Sequence, residues 1–101
     1  NQNYPLAAGS SNEQWFAALD AACKRIAAYA PDALVISLGV DTYAGDPISK
    51  FRLDTPEYLR LGAQLARLGL PTLFVMEGGY AVEEIGVNVA HVLRGFRDVA
   101  G

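Results

Sequence analysis

At 101 residues the chain has room for one domain and its core but not for two, and its composition, 51% apolar and 19% charged, is that of a folded protein rather than a disordered one. A net charge of −3 with no basic run or stripe leaves no footprint for a nucleic-acid backbone. The longest apolar runs are of strand length, well short of the roughly 18 residues a membrane span needs, and no signal segment opens the chain, so no membrane is expected as a partner and the cytoplasm is the expected compartment.

Residues 1 to 10 carry Pro5 and Gly9 without periodicity and read as an extended lead-in. A helix should begin near Ser11, because Ser10 or Ser11 can cap it while Glu13 or Gln14 lies three residues on, as in a capping box. Trp15, Leu19, Ala22, Ile26 and Tyr29 recur at helical spacing and predict a core-facing stripe that ends before Pro31. Cys23, the only cysteine, cannot form an internal disulfide and is expected to be a small packing residue.

Leu34 to Leu38 is an apolar run suited to a parallel strand covered on both faces; it breaks at Gly39 and leads to two carboxylates, Asp41 and Asp46. Ligands of open α/β sheets bind beyond the carboxyl ends of the strands, where Asp41 falls; a helix cap or turn residue is the structural alternative. Gly45-Asp46-Pro47 is a turn former, and Asp46 is expected to accept backbone N–H bonds that hold the loop bearing Asp41. Thr55-Pro56-Glu57 predicts a second helix capped by Thr55, with Tyr58, Leu61, Leu65 and Leu68 buried and Gly69 and Pro71 as its stop. The second strand, Thr72 to Met76, ends on Glu77-Gly78-Gly79-Tyr80, so the two strand ends should share one crevice. Strand, helix and strand make a βαβ unit with parallel strands. Ile85, Val89, Val92, Phe96 and Val99 predict a third amphipathic helix over 82–99. His91, the single histidine, falls within it, away from the strand ends. Two strands alone leave unpaired edges, which predicts self-association into a homo-oligomer.

Pro31-Asp32, Ser37-Leu38-Gly39-Val40-Asp41-Thr42, Gly45-Asp46-Pro47, the leucine-rich helix before Gly69 and Glu77-Gly78-Gly79-Tyr80, in that order and spacing, resemble the C-terminal portion of the zinc-dependent deacetylases. These are the histone deacetylases and, more closely, the bacterial acetylpolyamine amidohydrolases. Pro47 leans toward the amidohydrolase branch, because nuclear histone deacetylases commonly carry Arg there. The resemblance implies a partial arginase/deacetylase-like α/β fold in three layers, with residues 1–101 as a single C-terminal piece of it. It also implies that Asp41 is one of the zinc ligands, with another Asp and a His, and that Tyr80 polarises the amide carbonyl and donates to the oxyanion. Gly78 and Gly79 would border a narrow substrate channel, with Asp46 and Pro47 holding the loop. Acetylated polyamines or acetyl-lysine would be the substrates. The remaining ligands and the paired histidines that move protons lie upstream of the matched portion. One histidine cannot be both zinc ligand and general base, so the chain alone is expected to bind zinc weakly, if at all, and to be inactive without an N-terminal partner segment. A function of another class is a non-catalytic, self-associating or ligand-binding module built on the same fold.

Overall fold

The computed structural model describes residues 1–101, in the order α1 (Asn12–Tyr29), β1 (Leu34–Leu38), α2 (Thr55–Ala66), β2 (Thr72–Met76) and α3 (Ile85–Ala100). The capping box forms as expected: Ser11 Oγ accepts from Gln14 N at 3.1 Å, and Gln14 Oε1 accepts from Ser11 N at 2.8 Å. Along α1 the expected stripe lies at the core's edge, with Trp15 and Leu19 packed against it, and Tyr29 alone falls outside. Phe16 and Cys23 are the buried residues, Trp15, Leu19, Ala22 and Ile26 are half-buried, and Tyr29 is 83% exposed. Arg60 of α2 lies 3.9 Å over the Phe16 ring and pairs with Glu13 at 3.4 Å, so the Phe16 side of α1 faces α2. Tyr29, the last residue of the helix, lies far along the chain from that contact.

β1 and β2 pair in parallel, with Leu34 opposite Thr72 and Leu38 opposite Met76. Side chains alternate across the sheet. Leu38 is buried, and Ile36 and Phe74 pack with it among the helices, Phe74 meeting Phe96 of α3 edge to face at 5.3 Å. Val35, Leu73 and Val75 point the other way and are exposed. Of the three expected layers, this chain therefore supplies the sheet and the helices on one face.

α2 and α3 touch backbone to backbone. A Cβ on Gly62 would fall 1.9 Å from Val92 O, and one on Gly95 would fall 2.1 Å from Leu59 O, so each helix presents its glycine to the other. At the start of α2 the structure departs from the expected cap. Asp54 occupies the N-cap without a side-chain cap bond, and the Thr55 hydroxyl instead donates to Oδ1 of the buried Asn88 on α3 at 2.8 Å. Gly69 closes the α2 side with a left-handed φ of 68°. α3 starts at Ile85 rather than 82, because residues 81–84 form a turn in which Glu84 N and Ile85 N both donate to Ala81 O. No helix is long and apolar enough to cross a membrane.

Candidate active site

Pairing of the two strands continues beyond their formal ends. Glu77 N donates to Leu38 O and Val40 N donates to Gly78 O, each at 2.8 Å, which sets Asp41 beside Gly78. The Asp41 carboxylate occupies the space a side chain would need there: a Cβ on Gly78 would lie 2.5 Å from Oδ2 and one on Gly39 2.8 Å from Oδ1. Gly79 is equally constrained, since a Cβ would lie 2.7 Å from Val40 Cγ2. The family resemblance implies that both glycines border a channel; the structure shows that they also clear the Asp41 carboxylate and Val40.

After Asp41 the chain doubles back, and Tyr43 bridges Leu53, whose side chain is wholly buried. Within this loop Asp46 is buried and accepts from Ile48 N at 2.8 Å and Ser49 N at 3.1 Å through Oδ1. Its other oxygen, Oδ2, crosses to the second strand end and accepts from Tyr80 N at 2.7 Å. Burial opposes the Asp46 charge, but the N–H donors of Ile48, Tyr80, Ser49 and Ala81 outweigh it and hold the carboxyl below its ordinary range. Pro47 is exposed at the outer corner of the loop. The sequence foresaw the loop bonds of Asp46; the bond to Tyr80 it did not.

Tyr58 was legible only as a core residue. Its ring is fully buried, and its hydroxyl lies 2.9 Å from Thr42 Oγ1 and 3.3 Å from Val40 O. A phenol has one hydrogen to give, so donation to Val40 O leaves its oxygen to accept from Thr42. The two neighbours of Asp41 in the chain are thus held by one buried group. Burial pushes the phenol up to about 12; the Thr42 bond works against this, while Asp41, Asp46 and Tyr43 add to it.

The extended lead-in runs past this region, with Gly9 N donating to Lys50 O at 2.7 Å, and Leu6 and Ala8 share with Asp41, Thr42 and Phe51 the lining of a cleft of about 370 Å³. A larger hollow, about 570 Å³, lies elsewhere, between α1 and α2, and has mixed charges around Phe16 and Cys23. Burial, and next the charge of Asp20, push the Cys23 thiol up, which suits a packing residue rather than a nucleophile. His91 is off the site: on α3 its Nδ1 donates to Val87 O, one turn back, at 2.8 Å.

Asp41, a half-buried carboxylate at the strand ends, fits the part of one metal donor. The chain by itself holds no donor set, because no three His, Cys, Asp or Glu side chains lie together as metal ligands would. Tyr80 stands at the neighbouring strand end, 48% exposed.

The parallel strands thus place an acidic loop at one strand end and Glu-Gly-Gly-Tyr at the next. Residues 1–96 match the histone deacetylase domain model, and the chain belongs to that family. It is 70% identical over 100 residues to acetylpolyamine amidohydrolase 1 of Pseudomonas aeruginosa, covering 99% of this chain and 29% of that protein. Acetylpolyamine amidohydrolase of Mycoplana ramosa is 53% identical over 93 residues, or 92% of this chain and 27% of the relative. A crystal structure of acetylpolyamine aminohydrolase from Burkholderia pseudomallei superposes with a TM-score of 0.94 at 40% identity, over 98% of this chain and 29% of that one. The chain therefore spans less than a third of the length of these relatives.

Proposed function

We propose that this chain is the part of an acetylpolyamine amidohydrolase-like enzyme that contributes one metal-facing carboxylate, Asp41, and one oxyanion donor, Tyr80. The reading is carried by the junction of the two strand ends, where the Asp41 carboxylate lies on Gly78 and Tyr80 follows two residues later. The reaction is hydrolysis of an acetamide, with acetylated polyamines as substrates and acetyl-lysine as the alternative acyl donor. The Tyr80 hydroxyl meets the carbonyl oxygen as it gains charge, an interaction that strengthens in the transition state and so accelerates the step. Asp46 joins the two loops, and Tyr58 holds the chain on both sides of Asp41. Zinc, when bound by the whole donor set, supplies a Lewis acid and activates water; Asp41 is the donor this chain brings. The exposed Val35, Leu73 and Val75 are covered in this reading by the remainder of the enzyme, and the 101 residues alone are inactive because one carboxylate does not hold the metal.

The test is a hybrid in which this chain replaces the matching segment of the Pseudomonas aeruginosa amidohydrolase 1. The hybrid should hydrolyse acetylpolyamines, and Asp41→Ala or Tyr80→Phe should each cost about 10²–10³ in kcat. A folded hybrid without turnover would overturn the proposal in favour of a non-catalytic binding module.

A further inference from the structure

The two loops that carry Asp41 and Tyr80 are joined by a side chain that is neither. Asp46 gives one oxygen to each loop: Oδ1 to Ile48 N and Ser49 N of its own turn, Oδ2 to Tyr80 N at 2.7 Å. A turn of the Gly-Asp-Pro kind needs only the first set of bonds. The second spans 34 positions of sequence and ends on the backbone of the candidate oxyanion donor. The backbone before Tyr80 is tied at Gly78 O, which accepts from Val40 N, and the Asp46 bond is the one that holds Tyr80 itself. Tyr80 is 48% exposed, and the residues before it are two glycines, which place no side chain of their own against the fold. An ionised carboxylate is an acceptor only, so it can serve N–H groups on both loops without a competing donor.

We propose that Asp46 is a positioning residue for the reaction, fixing the backbone of Tyr80 so that the phenol stands where the oxyanion develops; this rests on the reading of Tyr80 given above. The phenol is far from its own Cα, so a small tilt of the peptide becomes a displacement of the hydroxyl, and a misplacement of about 1 Å can cost about 10² in rate.

Asp46→Asn in the hybrid enzyme isolates the effect. The amide has one acceptor oxygen; kept by Ile48 N and Ser49 N, it leaves an NH₂ group facing the N–H of Tyr80, donor against donor. The expected result is a fall in kcat of about 10–100-fold with KM within about twofold, and little further loss when the same substitution is made in Tyr80→Phe. A loss of folded enzyme would lower both backgrounds alike, so the non-additivity separates positioning from stability. A crippled Tyr80→Phe beside a folded Asp46→Asn with full kcat, or costs that multiply in the double variant, would overturn the role of Asp46. A fully active Tyr80→Phe would instead overturn the reading of Tyr80, and this inference with it. Amide hydrogen exchange on the unsubstituted hybrid decides the matter even where Asp46→Asn does not fold: the Tyr80 N–H should be protected, and exchange at the rate of a free peptide would refute the proposal.

Discussion

The Tyr58 hydroxyl lies 2.9 Å from Thr42 Oγ1 and 3.3 Å from Val40 O, so a side chain on α2 grips the chain on both sides of Asp41. Tyr58→Phe keeps the buried ring and removes only this grip. It leaves the Val40 carbonyl and the Thr42 hydroxyl short of a partner, at a cost of about 1–2 kcal/mol in denaturant unfolding. In a spectrophotometric titration one tyrosine should ionise only at about pH 12, and that step should vanish in Tyr58→Phe. Because the folded phenol is raised, its stabilising effect is complete below the unfolded value near 10 and disappears as pH climbs through the folded one.

Gly78→Ala tests the contact between the strand ends. The new methyl would sit 2.5 Å from Asp41 Oδ2 and 3.0 Å from its Cγ, so either the carboxylate rotates away or the strand ends part. Zinc titration of the hybrid enzyme should show affinity reduced about 10–100-fold, the usual effect of disturbing the support of a metal ligand. Unchanged affinity would mean that the Asp41 carboxylate does not bind zinc from its position on Gly78.

Local signals made most of the fold legible. The Ser11 and Gln14 capping box, the apolar strands ending at Gly39 and at Glu77, and the stop at Gly69 are written in neighbouring residues, and each formed where those residues placed it. What the sequence did not disclose depends on contacts between distant segments. Phe16 of α1 lies under Arg60 of α2, the Thr55 hydroxyl is drawn from its expected cap by Asn88, and Asp46 reaches Tyr80 across the crevice. Tyr58 on an apolar stripe looks the same whether or not its hydroxyl has a task. For the candidate site, the sequence marked Asp41, Asp46 and Tyr80 but not the bonds that join their loops.

The paired glycines of α2 and α3 give a prediction about stability alone. Alanine has the higher helix propensity by about 1 kcal/mol, so Gly62→Ala would stabilise α2 if the helix were isolated. Here the methyl would fall 1.9 Å from Val92 O and 2.8 Å from Phe96 N, and backbone cannot yield as a flexible side chain can. Separating the helices loosens the packing around Val92 and costs up to about 3 kcal/mol, so the clash prevails. Thermal unfolding should show a melting temperature lower by roughly 10 °C. An unchanged or higher value would mean that α2 and α3 are farther apart than the structure has them.

Acid should release the two loops from each other through Asp46. Burial opposes its charge, but its carboxyl is held below the ordinary value of 3.8 by backbone N–H groups that favour the charged form. A depressed folded value stabilises the fold above the unfolded pKa, and that contribution is lost as pH falls through the folded one. The Tyr80 amide resonance should therefore shift with a midpoint below 3.8, together with those of Ile48 and Ser49, because all three donate to the same carboxylate. In Asp46→Asn the shared titration should disappear, and the acid limb of stability against pH should flatten correspondingly. If Ile48 and Ser49 titrate with Asp46 while Tyr80 does not, the carboxylate organises its own turn only and the link across the crevice is refuted.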